Sequence, residues 1–237
     1  MARTTINTVK NVKTLSSYSR ARLNIKDFWS AVTHGIAMII AFAAAFPLGI
    51  HAKRLYGPGS TEAVATMIFI ISMILLYGAS TSYHTFDVND RVNHSLQVLD
   101  HTMIYVLIAG SYTPVCLIVL PPKIGLTLLA LVWGLSFAGI VFKIAWVTCP
   151  RWLGSSIYIL LGWSCLLAFV PIYQNMSRFS FTMLVIGGVI YTIGGVVYAL
   201  KKPEFDKRHP NFGMHEIFHL FVMGGSIFHY ITMYSIL

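Results

Sequence analysis

AVATMIFIISMILLYGASTSYH, residues 63–84, is an unbroken apolar run that carries no charged side chain until it closes on Ser80 and His84. A helix of about 20 apolar residues crosses a hydrocarbon core of about 30 Å, and one that is apolar all round has no polar face to offer water. Six further runs of similar length follow the same reading, so the chain predicts membrane spans over 28–50, 63–83, 99–120, 124–147, 152–173, 181–200 and 214–237. The connections are short, which predicts one seven-helix transmembrane domain over 28–237 behind a basic leader at 1–27. Composition leads to the same class: 56% of the 237 residues are hydrophobic and 11% charged. With a mean hydropathy of +0.70, this is an all-α membrane protein rather than a water-soluble domain.

The polar leader before residue 28 and the length of the first run exclude a cleavable signal peptide, whose apolar core is shorter, at about 7–15 residues. Cys116, Cys149 and Cys165 have no paired spacing, so no disulfide framework is expected. The net charge of +9 does not mark a nucleic-acid binder, because it is spread according to membrane topology. Twelve Lys/Arg residues fall in the leader and in the loops sharing its side, against four (Lys53, Arg54, Lys123, Arg178) on the other. That bias predicts a cytoplasmic N-terminus and, with seven spans, a C-terminus outside. Lys143 is left near the end of the fourth span and is expected to snorkel to the outer headgroups. The leader itself has no helical apolar period and is expected to lie near anionic lipid headgroups.

In this topology the end of the second span and the beginnings of the first, third and seventh share one side of the membrane. Ser80 and His84, Asp100 one turn into the third span, and His215 with His219 therefore fall at nearly one depth. Ionisable side chains at such positions are functional candidates by default. His215 and His219 are spaced i, i+4 and so stand on one helix face. With His84 they make three imidazoles, the donor set of a catalytic zinc that keeps a fourth position open. Asp100 could then hold the water or accept its proton, and Ser80 could bond substrate or stabilise a developing oxyanion.

Plainer readings stand beside these. A histidine pair in a membrane helix can serve as interhelical glue. HEIFH (215–219) also matches the H-E-x-x-H pattern in which the glutamate is a general base, although Asp100 is the favoured candidate and Glu216 is expected to be solvated or packed. His51, His94 and His209 are read as loop or boundary residues. His229, ten residues and so about 15 Å beyond His219, is read as a hydrogen-bonded core residue. His101 is assigned to packing or support of the site, and His34 to support or core. Pro47, Pro114 and Pro171 are expected to kink or end their helices.

The motifs YGASTSYHTFD (77–87), LDHTMIYVLIAGSYTP (99–114) and HEIFHLFVMGGSIFHY (215–230), with THG at 33–35, resemble the bacterial hemolysin III family of the progestin and adipoQ receptor superfamily. The resemblance covers nearly everything after the leader. It implies a seven-helix fold with a cytoplasmic N-terminus and zinc on His84, His215 and His219, accompanied by Ser80 and Asp100. The chain departs from the family where a glutamate and an asparagine often precede T-H-G, for it has Asp27 and Ser30 there. Eukaryotic relatives resemble intramembrane hydrolases of ceramide-like lipids. By that likeness a zinc-polarised water would attack an amide carbonyl, with Asp100 handling the proton and Ser80 near the oxyanion.

The expectation is thus a zinc-dependent hydrolase of a lipid amide or ester, resident in the inner (plasma) membrane and acting in lipid homeostasis at its cytoplasmic leaflet. Its partners would be membrane lipids, with no nucleic acid. One alternative is a membrane-state sensor or receptor-like protein with structural zinc. The other is the pore-forming cytolysin of the family name, disfavoured because seven spans without a cleavable signal describe a resident protein.

Overall fold

The computed structural model describes residues 25–200 and 202–237, which are helical with no strand among them. Seven helical segments are long and apolar enough to cross a membrane. They are α1 (Phe28–Tyr56), α2 (Thr61–Thr85), α3 (Asp90–Pro114), α4 (Pro122–Ala145), a broken fifth span made of α5 (Arg151–Gly162) and α6 (Phe169–Asn175), then α7 (Arg178–Leu200) and α9 (Met214–Ser235). A short α8 (Pro203–Arg208) stands in the last connection. Most of the leader lies outside the described residues.

Each expected span is present, and the structure extends several of them. α1 runs on through Pro47 to Tyr56. α3 starts at Asp90, Asn89 accepting the Val92 N–H at 3.0 Å to cap it. Asp100 is therefore in the third turn of its helix rather than the first, and His94 is helical and exposed rather than in a loop. Hydropathy could not reveal this polar extension, because charged residues that leave the bilayer carry no apolar signal.

Two departures from α geometry shape the interior. After Pro114, α3 continues as a π turn over Val115–Val119. The fifth span tightens to a 3₁₀ segment over Trp163–Ala168 before α6. Pro171 explains the second: its ring opposes the carbonyl four residues back, at Leu167, and it has no N–H to give. The groups freed at that break cannot turn to lipid and must be satisfied within the protein. Tyr112 of α3 does this, donating to the Gly162 carbonyl at 2.7 Å and accepting the Cys165 N–H at 2.7 Å.

In the bundle, α2 packs between α1 and α3, α4 lies on α3, and α9 closes the ring between α7 and α1. α5 packs mainly on α7 and only lightly on α3 and α4. The largest fully buried side chains include Phe69, Ile70 and Tyr77 on α2 and Tyr105 on α3, with Leu48 on α1 and Met233 on α9. Large apolar side chains elsewhere point outward, such as Ile39, Phe42 and Phe46 on α1 and Leu160 and Leu167 on the fifth span. These face lipid, and the protein is a multi-pass membrane protein. Between α3, the fifth span, α7 and α9 is a cavity of about 220 Å³ with mainly apolar walls.

Candidate metal centre

The end of α2 and the beginnings of α1 and α9 meet at one end of the bundle, and three imidazoles converge there. One donor atom from each of His84, His215 and His219 lies within 4.8 Å of the others. The Nε2 atoms of His84 and His215 are 3.1 Å apart. Two nitrogens on a tetrahedral zinc, each at about 2.0–2.1 Å, would stand about 3.3 Å apart, so the spacing fits a shared divalent ion.

Hydrogen bonding on the far side of two rings fits as well. Asp27 Oδ2 lies 3.0 Å from His84 Nδ1, and this bond, foremost among its surroundings, holds the Asp27 carboxyl below the usual carboxylate range. An ionised carboxylate can only accept, so His84 carries its proton on Nδ1 and presents a lone pair on Nε2. At His219 the partner is Thr33, whose Oγ1 is 3.2 Å from Nδ1. The single Thr33 hydroxyl proton goes to backbone carbonyls, Trp29 at 2.9 Å or Ser30 at 3.1 Å. With its proton so placed, Thr33 can accept from Nδ1, the arrangement that leaves the His219 Nε2 lone pair free. A metal-ligating histidine almost always has its other nitrogen engaged in this manner. His215 Nδ1 has no such partner.

Asp27 is the residue before α1 and yet makes no cap to that helix. Its carboxylate is turned to His84, and its N–H donates to the His84 carbonyl at 2.9 Å. The start of α1 is thereby fastened to the end of α2. His34 is buried one turn further in, stacked on His219 with ring centres 3.6 Å apart and edge-on to Tyr77. It supports the His219 ring and is not in the three-imidazole group.

Ser80 is buried, and Asp100 is half-buried. Both line the cavity together with His215 and His219. The Asp100 carboxylate lies near Ser80 and His84, but Ser80 Oγ completes no well-formed hydrogen bond. Beside the three imidazoles the chain thus has an acid and an uncommitted hydroxyl facing an apolar chamber. Glu216 is placed differently. Its carboxylate accepts the Gly213 N–H at 2.8 Å and the Ser30 hydroxyl, which occupies it in capping α9 and tying it to α1. A glutamate so engaged is unsuited to act as the base suggested by H-E-x-x-H.

Lys143 does not snorkel. It is 3% exposed, and its Nζ donates to Cys149 Sγ at 3.1 Å, on the cavity wall. His101 and His229 line the same cavity. Thr33 belongs to the quoted T-H-G, but its contact with His219 depends on which face of α1 meets α9, which the sequence does not show.

A family model described as "Haemolysin-III related" matches residues 23–230. The chain belongs to the haemolysin-III family. "Hemolysin-3" of Bacillus cereus is 40% identical over 201 residues, covering 85% of this chain and 87% of that protein. "Hemolysin-3 homolog" of Bacillus subtilis (strain 168) is 38% identical over 201 residues, covering 85% and 89%. The matched segment contains Asp27, Thr33, Ser80, His84, Asp100, His215 and His219, so the whole candidate centre lies within the haemolysin-III region.

Proposed function

We propose that this haemolysin-III protein is a zinc-dependent hydrolase that cleaves an amide or ester bond of a membrane lipid. The observation that carries the reading is the juxtaposition of three imidazoles with Ser80 and Asp100 on the wall of one mainly apolar cavity. A purely structural zinc is closed by four protein ligands, whereas three leave a position open. Imidazole donors suit zinc among the common divalent ions, although other transition metals share that preference.

His84, His215 and His219 would hold the ion. Bound there, zinc supplies Lewis-acid polarisation of a carbonyl and a water acidic enough to react near neutral pH. The apolar walls from α3, α6 and α7 hold the lipid chain and keep bulk water from the scissile bond. Asp100 takes the proton from the attacking water and returns it to the leaving group. Ser80, which lies beside Asp100, donates its hydroxyl to the carbonyl oxygen as negative charge develops there. Asp27 and Thr33 hold two imidazoles in the tautomer that offers Nε2. Basic residues at this end of the bundle, including Lys26, Arg91 and Arg151, favour placing it at the cytoplasmic face of the inner membrane.

The test is metal content and lipid hydrolysis of the purified protein beside His84→Ala, His215→Ala and Asp100→Asn. About one zinc per chain is expected in the wild type, lost in both histidine variants and kept in Asp100→Asn. Hydrolysis of a lipid amide or ester should fall by about 10²–10⁴-fold in Asp100→Asn. Zinc with no hydrolysis, and a thermal stability that depends only on the histidines, would favour the sensor reading with structural metal. Leakage of loaded liposomes that Ser80→Ala leaves unchanged would favour the cytolysin. No bound metal in any preparation would remove the mechanism.

A further inference from the structure

Lys143 is in the last turn of α4 and almost wholly buried. Its one hydrogen-bond partner among the described residues is Cys149 Sγ, and its Nζ lies 5.9 Å from the centre of the Tyr158 ring. The sole ion pair among the described residues is His84 with Asp27, so no carboxylate lies within 4.0 Å of the ammonium. The surroundings add positive potential instead. Lys143 Nζ rests against the first turn of α5, where a Cβ on Gly154 would be 3.2 Å away. That helix opens behind Pro150 with no side-chain cap. Within that turn the Leu153 and Gly154 N–H groups donate to the Pro150 carbonyl at 3.0 and 3.2 Å, and the positive end of the helix dipole lies at this start. Arg151, in the same turn, holds its guanidinium 5.1 Å from the centre of the Tyr198 ring. Lys143, Arg151, Gly154 and Tyr198 all line the cavity that His215 and His219 also line.

A buried charge without a counter-charge is costly, most of all at membrane depth. Here an ammonium, the start of a helix and a guanidinium line one cavity; Asp100 lines it too, but no carboxylate among the described residues lies within 4.0 Å of the ammonium. The arrangement is the one that binds anionic oxygens when they arrive from a ligand.

We propose that Lys143, with the first turn of α5 and Arg151, binds the anionic oxygen group, a phosphate or carboxylate, of a lipid whose chain occupies the cavity. The lipid that enters is an anionic one. This deepens the lipid reading above but depends on neither hydrolysis nor metal. Lys143 is a specificity-determining residue: it reads the headgroup, while the imidazole cluster lies across the Tyr198 ring, whose centre is 5.1 Å from the Arg151 guanidinium and 5.8 Å from that of the His215 ring.

The experiment measures thermal stabilisation of the purified protein in neutral detergent by two ether-linked lipids of identical chain, an alkylglycerol phosphate and the uncharged alkylglycerol. Ether linkage removes hydrolysis from the comparison. The phosphate should bind about tenfold to a hundredfold more tightly, the range of a hydrogen bond to a charged group. That preference should disappear in Lys143→Met and persist in Lys143→Arg and in metal-free His215→Ala. Lys143→Gln replaces the Met variant if that one does not fold, and the two-lipid comparison in the wild type needs no variant. Equal binding of the two lipids by the wild type would overturn the proposal. So would a preference that survives Lys143→Met, or one that disappears in His215→Ala, which would put the anion on the metal. Glycerol phosphate without a chain should stabilise far less; stabilisation equal to that by the lipid would show a free-anion site and overturn the lipid assignment.

Discussion

α2 and α3 each bury 56% of their most apolar stretch inside the protein, whereas the broken fifth span buries 22% and α7 11%. The two regions differ in kind as well as degree. Between α2 and α3 the helices approach closely: Gly110 faces Ser72, whose Cβ would be 2.7 Å from a Cβ at that glycine. Around the fifth span the helix breaks, Gly162 and Gly188 face open space and the cavity forms. The close-packed pair fixes Ser80, His84 and Asp100 to a rigid frame. The looser region provides room for a chain of variable shape. On the proposed function, precision of the reactive site and tolerance of a lipid fall to different helices.

The sharpest way to break this contrast is to insert the same small increment on each side. Gly110→Ala should destabilise the protein by about 1–3 kcal/mol, since Ser72 is itself held by a 2.7 Å bond to the Phe69 carbonyl and cannot move freely. Gly188→Ala, on the cavity wall in α7 with nothing within 4 Å of a new Cβ, should be neutral or stabilise by up to about 1 kcal/mol through helix propensity. Thermal unfolding in detergent checks both. Equal losses would mean that the two regions are packed alike.

The candidate metal centre has a contrast of its own, because His84 and His219 have anchored Nδ1 atoms and His215 does not. Asp27→Asn keeps the shape but removes the charge, and zinc affinity should fall by about 10–100-fold. Thr33→Val should fall within the lower part of that range, since a neutral acceptor orients its ring less strongly than a carboxylate. Competition against a chelator of known affinity measures both. An unchanged affinity in Asp27→Asn would show that the α1–α2 tie orients the ring without tuning it.

Sequence made much of this visible, and the limits have physical causes. Hydropathy locates apolar runs, so the seven spans were legible, and i, i+4 spacing placed His215 and His219 on one face. Depth along the membrane followed from topology, which is why Ser80, His84 and Asp100 could be grouped with them. Direction around each helix axis was not legible in an apolar helix with no polar face. Lys143 was therefore assigned to the headgroups, although it turns inward to Cys149. Glu216 was ambiguous for another reason: the position three residues after Gly213 serves a capping box as readily as a metalloprotease motif, and only the bond to the Gly213 N–H decides. The cavity depends on the 3₁₀ break, and Pro171 hinted at a break without showing how the strained backbone would be satisfied.

That satisfaction gives the smallest and most local prediction. Tyr112→Phe removes a hydroxyl that both donates to Gly162 and accepts from Cys165, leaving a carbonyl and an N–H unpaired where no lipid group can replace them. The loss should be about 1–3 kcal/mol, the cost of unsatisfied buried polar groups, and at the lower end of that range if water from the cavity reaches the break. Hydrogen exchange at the Cys165 amide should rise in this variant while amides in α2 and α3 keep their protection. A loss of protection spread through α2 and α3 would mean that the fifth span supports the close-packed pair, and the two regions would then be one cooperative unit. Exchange confined to the break would place the opening of the cavity on the loose side alone, where a lipid could enter without disturbing the helices that hold His84 and Asp100.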